Sequence, residues 1–318
     1  MGACYCLAEG GSRAEGLVLD RESPPRSALI WLHGLGDTER KWSQTIKHEL
    51  LPLLDSCCSP CKLVVPRAPT AEVSCNGGRR MTCWFDMREL PLGAGNRPPR
   101  FGCSLPDAEL SAQRIHGIID DLCEMGLAPE RIAIGGFSQG AALAMLSALK
   151  YPAPLGCCIA FSGLLLGSDQ LARIVHPANH QLPVLWCHGQ HDPLLMPSLQ
   201  RVGCEALESM GVRVQKRRYS MGHGYRSEEL GEAAAFLADR LASGPGAPLE
   251  GPDGTAAKEA TEASQGAPEL IDCPSVTVEE LKEAPPSCCC CSCCASCCGR
   301  STSPGGVAAC SPFKRSGD

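Results

Sequence analysis

No run of about eighteen apolar residues occurs in the 318-residue chain, so none of its helices is expected to span a bilayer. The N-terminus lacks the charged and apolar regions of a secretory signal, which points to the cytoplasm. A basic stripe is also missing. Lys and Arg total 29 against 35 Asp and Glu, the formal net charge is −6 and the pI is near 5.8, a balance that argues against nucleic acid as the main partner. No repeat of solenoid length is visible.

Large apolar residues are almost absent from "ASGPGAPLEGPDGTAAKEATEASQGAP", which follows Leu241. Such a segment has too little to bury and reads as a disordered linker. The division expected is a tail at 1–15, one domain at 16–243, and a linker with a Cys-rich tail at 244–318.

Cysteine, by contrast, is abundant, with 23 residues. A chain without a secretory signal keeps its thiols reduced, so a disulfide scaffold is not the reading. Cys157, Cys158 and Cys187 lie in apolar runs and read as small buried hydrophobes. Cys58-Ser59-Pro60-Cys61 runs into a strand instead of opening a helix, unlike a redox motif.

Within the body, β-rich runs alternate with helical patterns, the signature of a mostly parallel α/β sheet flanked by helices. "ALIWLHG", "KLVVP", "RIAIGG", "GCCIAFSG", "PVLWCHG" and "VRVQKRRYS" are the expected strands. Ile115, Ile118, Ile119 and Leu122 recur at helical spacing and predict a helix from Asp107 to Met125. Ile46, Leu50, Leu51 and Leu54 predict another from Ser43 to Leu54.

One break in this pattern bears chemistry. After Ile132 and Ile134 the chain reads Gly136-x-Ser138-x-Gly140 and resumes at once as "AALAMLSAL". Strand, sharp turn and helix in that order form a nucleophile elbow, with glycines giving the clearance the turn needs. A serine hydroxyl requires a base and an orienting acid. In this architecture they follow in the order acid, then histidine, on loops after later strands. "PVLWCHG" runs into Asp192, and "VRVQKRRYS" runs into His223, so these are the candidates. Asp169 and His191 are the competitors; Asp169 lies further beyond its strand, and His191 directly precedes the acid on one short loop. Oxyanion donors are sought at the N–H of Gln139, after the nucleophile, and at Leu35 in the glycine-rich loop "HGLGD".

"HGLGDTERKW", "PRAP", "CWFD", "RIAIGGFSQGAALAM", "CHGQHDPLL" and "MGH" stand in the order and spacing of acyl-protein thioesterases and lysophospholipase-like carboxylesterases, which this chain resembles over 16–241. The resemblance implies an α/β-hydrolase fold, a triad of Ser138, Asp192 and His223, oxyanion donors at Leu35 and Gln139, and neither cofactor nor metal. It also implies substrates: S-acylated proteins, with lysophospholipids and small acyl esters as further classes. Trp84 matches the family's tryptophan beside the active site. Leu164, in "FSGLLLG", stands where typical acyl-protein thioesterases have another tryptophan, and Leu164–Leu166 would line an acyl tunnel or pack the core. The segment "ERKWSQTIKHEL" is closer to the lysophospholipase-like protein 1 branch, in which long chains are poorly accommodated. A rival of another class is a non-catalytic acyl-binding or membrane scaffold protein.

The two ends carry candidate lipidation sites. Gly2, Cys4 and Cys6 allow N-myristoylation or S-acylation, although Cys6 occupies the place where the myristoylation pattern has Ser or Thr. Cys288, Cys289, Cys290, Cys291, Cys293, Cys294, Cys297 and Cys298 put eight cysteines in eleven residues. Consecutive cysteines converge poorly on a metal. Multiple S-acylation fits better, and two or more chains give durable peripheral membrane attachment.

Overall fold

The computed structural model describes residues 16–19, 25–54, 60–93 and 102–242. Its central sheet has seven strands in the order β1-β3-β2-β6-β7-β8-β9: β1 Gly16–Leu19, β2 Ser27–Leu32, β3 Cys61–Pro66, β6 Ile132–Phe137, β7 Cys157–Phe161, β8 Pro183–Gly189 and β9 Arg213–Tyr219. Only β1 is antiparallel to its neighbour. A separate hairpin pairs β4 Thr70–Val73 with β5 Arg79–Thr82. The helices are α1 Glu39–Thr45, α2 Leu51–Leu54, α3 Leu105–Glu124, α4 Gln139–Lys150, α5 Leu171–Ile174, α6 Pro197–Ser209 and α7 Ser227–Ala242.

The inner strands are apolar at almost every position because both their faces are covered. Ala28, Ile30, Leu32, Ile132 and Ile134 face a core shared with α3, α4 and α6, whereas Leu29, Trp31, Ala133, Cys157 and Ile159 face α1, α2 and α7. Helix α4 is buried from Gln139 to Leu149, which explains an apolar sequence with no polar stripe. Edge strand β9 carries Arg213, Lys216, Arg217 and Arg218, all exposed, a charge pattern that discourages pairing with another chain.

Three expectations need adjustment. The helix read as Ser43–Leu54 begins at Glu39, with the Thr38 hydroxyl accepting from Lys41 N–H at its start. It passes through one π-helical stretch, Ile46–Leu50, before α2. The helix read from Asp107 starts at Leu105, with Pro106 in its first turn, where a missing N–H costs nothing. Strand β1 and the β4–β5 hairpin were not anticipated; the hairpin's burial alternates too weakly to mark it in sequence.

Strand β3 lies on one side of β2 and β6 on the other, so the chain order reverses between β2 and β6. Open α/β sheets bind their ligands at such a switch point, outside the C-terminal ends of the strands. The loops holding Leu35 and Ser138 both emerge there.

Candidate active site

Ser138 joins β6 to α4 with φ 56° and ψ −118°, outside the regions a residue with a side chain readily populates. Its neighbours permit the turn only as glycines. A Cβ on Gly136 would stand 2.7 Å from Leu32 O, and one on Gly140 would stand 2.5 Å from His33 O and closer still to Leu32 O. The turn thereby presses against the end of β2. Ser138 N–H donates to Phe161 O at 2.8 Å, fixing the elbow to β7.

The hydroxyl so raised meets the two other candidates. Ser138 Oγ lies 2.9 Å from His223 Nε2, and His223 Nδ1 lies 2.7 Å from Asp192 Oδ2. An ionised carboxylate only accepts, so Nδ1 carries the proton and Nε2 is free to accept from the serine. Asp192 is fully buried, and burial alone would raise its pKa. The hydrogen bond from His223 on Oδ2, with the N–H groups of Leu195 and Leu194 on Oδ1, outweighs that and holds the carboxyl below its usual range. Neither competitor is in this chain of bonds: Asp169 and His191 are exposed, and His191 N–H is spent on Met221 O.

The sequence-predicted oxyanion donors converge on the same edge. Gln139 N–H opens α4, where no intrahelical acceptor exists, and the helix start favours negative charge. In the β2–α1 loop, Gly36 N–H donates to Thr82 O and Asp37 N–H to Gly34 O, whereas Leu35 N–H has no backbone acceptor among the described residues. That loop is held from several sides. Trp42 Nε1–H donates to Asp37 Oδ2 (2.8 Å), Thr82 Oγ1–H to Asp37 O (2.6 Å), and Trp84 Nε1–H to His33 O (2.8 Å). His33 accepts from Ala68 N–H at Nε2, so its Nδ1–H donates to Gly34 O. Burial lowers its pKa, keeping it neutral for that pair of bonds.

The Gln139 side chain, also buried, links the elbow to the segment 83–86. Its Oε1 accepts from Trp84 N–H at 2.9 Å and its Nε2–H donates to Phe85 O at 2.8 Å. Trp84 forms part of the wall of a cleft of about 420 Å³ between that segment and α3, with Leu110 exposed at its rim. Leu164, by contrast, has no exposed surface and is packed in the core with Leu165 and Leu166. Leu166 also borders a cleft of about 160 Å³ with Leu105 and Gly167.

Two residues of the site were not singled out by sequence. His188, buried at the end of β8, donates Nε2–H to Leu195 O at 2.8 Å and stands 3.5 Å from Asp192 Oδ2. Ser162, buried beyond β7, donates its hydroxyl to Gly224 O at 3.1 Å. The motifs "CHG" and "FSG" contain them, but nothing in a one-letter string shows which way they face. Among the described residues no group of three or more His, Cys, Asp or Glu is placed to hold a metal ion, and no helix is long and apolar enough to cross a membrane. The lipidation candidates Gly2, Cys4, Cys6 and Cys288 to Cys298 lie outside the described residues, as does Cys58.

Comparison with known proteins agrees with the geometry. Residues 14–241 match the Phospholipase/Carboxylesterase family. An acyl-protein thioesterase 1 from Gibberella zeae is 34% identical over 71% of this chain and 95% of its own length. A probable carboxylesterase from Oryza sativa is 33% identical over 70% of this chain and 91% of its own. The crystal structure of Arabidopsis thaliana SOBER1 superposes with a TM-score of 0.60 at 29% identity, covering 68% of this chain and 99% of that one. With the sheet, the elbow and these relatives in agreement, the chain belongs to the phospholipase/carboxylesterase family of α/β-hydrolases and is a carboxylic ester hydrolase.

Proposed function

We propose that Ser138 is the nucleophile, His223 the general base and Asp192 its orienting acid in a hydrolase that removes long acyl chains from protein cysteines. The observation that carries this reading is the unbroken chain of hydrogen bonds from Ser138 Oγ through the imidazole to a buried carboxylate. His223 Nε2 takes the serine proton as Oγ attacks the acyl carbonyl, and the developing oxyanion rests on the N–H groups of Leu35 and Gln139. Collapse breaks the carbon–sulfur bond, and His223 returns its proton to the departing thiolate. Water, deprotonated by the same nitrogen, then splits the acyl-serine. A thiol with a pKa of about 8.5 leaves far more readily than an amine. The site therefore needs little assistance at the leaving group.

Protein thioesters are favoured as substrates by the family motifs and by the thioesterase among the relatives. In this reading the hydrolase body, 16–243, works at cytoplasmic membrane surfaces through S-acylated cysteines in the tails, 1–15 and 244–318. One observation favours a second reading: with Leu164, Leu165 and Leu166 buried in the core, a short-chain carboxylesterase also fits. Hydrolysis of matched thioester and oxygen-ester substrates from acetyl to palmitoyl, by the full chain beside Ser138→Ala, separates the two. Ser138-dependent cleavage of palmitoyl thioesters supports the protein deacylase. Cleavage confined to short chains selects the carboxylesterase, and turnover that survives Ser138→Ala removes both.

A further inference from the structure

We propose that Ser162 is a positioning residue for the hydrolytic reaction, its hydroxyl and strained backbone holding the histidine loop in register with the nucleophile. The inference rests on the assignment of Ser138 and His223 given above. Apart from Ser138, Ser162 is the one non-glycine residue at positive φ among the described residues, at φ 48°. It is also fully buried. It follows β7 directly, beside the elbow, and the turn it begins is packed against the nucleophile's helix. A Cβ on Gly163 would stand 2.7 Å from Ala141 Cβ.

What distinguishes Ser162 is the set of loops that meet around it. The preceding residue, Phe161, accepts from Ser138 N–H at 2.8 Å. Ser162 N–H donates to Cys187 O at 2.9 Å, on the strand that leads to Asp192. Its Oγ–H donates to Gly224 O at 3.1 Å, and Gly224 is bonded in sequence to His223. Two adjacent residues thus tie together the backbones that carry all three members of the triad.

The side chain matters in its own right. A glycine at 162 would adopt φ 48° without strain, so the strain is tolerated for the sake of a group beyond the backbone, and the hydroxyl is that group. His223 has no backbone bond of its own among the described residues. Its ring is held by Asp192 on one side and by a tilted contact with the Phe137 ring, centroids 5.1 Å apart, on another. The Ser162–Gly224 bond is the tether nearest to it along the chain. Without it the loop gains freedom, and the imidazole no longer spends its time within hydrogen-bond reach of both Oγ and Oδ2. Misplacement of about 1 Å costs as much as 10²-fold in rate.

The test compares full-length Ser162→Ala, Ser162→Gly and Ser138→Ala with the wild type. The readouts are kcat and KM on a short-chain ester, the unfolding midpoint, and the downfield proton resonance of His223 Nδ1–H. The expected result is a fall in kcat of about tenfold or more in both Ser162 variants with KM within about twofold, together with broadening of the Nδ1–H line. Ser162→Gly, relieved of strain, should be the more stable of the two and yet no more active. Wild-type kcat and an unchanged proton line in folded Ser162→Ala and Ser162→Gly, with Ser138→Ala inactive, would overturn the tether and leave the triad standing. A loss of activity that matched only the unfolded fraction would overturn it too. Activity that survived in Ser138→Ala would instead show that the underlying assignment had failed.

Discussion

Replacing Ser138 by glycine should make the protein more stable than replacing it by alanine, although both variants lose the proposed nucleophile. Both remove Oγ and its 2.9 Å bond to His223, so that contribution cancels in the comparison. What differs is the Cβ held at φ 56° and ψ −118°. A residue kept in so sparsely populated a region costs about 1–3 kcal/mol, which alanine retains and glycine releases. Glycine in turn loses more backbone freedom on folding, about 0.5–1 kcal/mol. At mid-range the balance favours Ser138→Gly over Ser138→Ala by about 1 kcal/mol. For a body of this size that corresponds to roughly 2–4 °C in Tm. Urea denaturation of the two full-length variants, followed by far-UV circular dichroism, reads the difference as a shift in midpoint at constant slope. Equal stability, or a more stable alanine variant, would refute the claim that the elbow stores strain to present its hydroxyl.

Other perturbations follow from the same contacts. Gln139→Leu removes the partners of Trp84 N–H and Phe85 O in the interior, at about 1–3 kcal/mol for each orphaned group; denaturation of the variant should show a loss of about 2–6 kcal/mol, and wild-type stability would contradict the clamp. Gly140→Ala drives a Cβ to within 2.5 Å of His33 O, where only backbone could yield, so it should cost about 3 kcal/mol or more; a thermal melt indistinguishable from wild type would show that the elbow is looser than described. Asp192→Asn places a donor where His223 Nδ1–H needs an acceptor, and kcat should fall by about 10⁴-fold with little change in KM; steady-state kinetics that retained a tenth of the activity would exclude Asp192 as the orienting acid. Glu229 is buried and its pKa is pushed up to about 8, mainly by that burial. The folded chain therefore keeps a proton that the unfolded chain has lost, and stability should decline as pH rises through the window from about 4.5 to about 8, by up to roughly 1.4 kcal/mol per unit. Glu229→Gln does not titrate, so its advantage over wild type should grow across that window and level off above it; urea midpoints that differ equally at both ends would refute this.

Residues buried on both faces were the legible part of the fold. Strands β2, β6, β7 and β8 announce themselves because each is apolar at almost every position, and α3 because its apolar stripe recurs at helical spacing. Strand β1 is only four residues long, and the β4–β5 hairpin is short and half exposed, so its burial leaves no sustained alternation to read. The positions of Ser138, Asp192 and His223 were legible because chain order and loop position are one-dimensional properties, and that information also separated Asp192 from Asp169. Leu164 shows the opposite case. A run of leucines after a strand reads alike whether it lines a tunnel or fills the core, and only the three-dimensional packing places it in the core. Ser162 and His188 escaped notice because their importance lies in the sign of a φ angle and in the direction of one N–H group.

The central claim is that an acyl group passes through Ser138 under the control of His223. Rapid quenching of the full-length protein with p-nitrophenyl acetate, followed by peptide mass spectrometry, tests it most directly. One acetyl group should appear on the peptide bearing Ser138 in the wild type, and should be absent from both Ser138→Ala and His223→Ala. Acetyl accumulating on another residue, or turnover undiminished in His223→Ala, would contradict it.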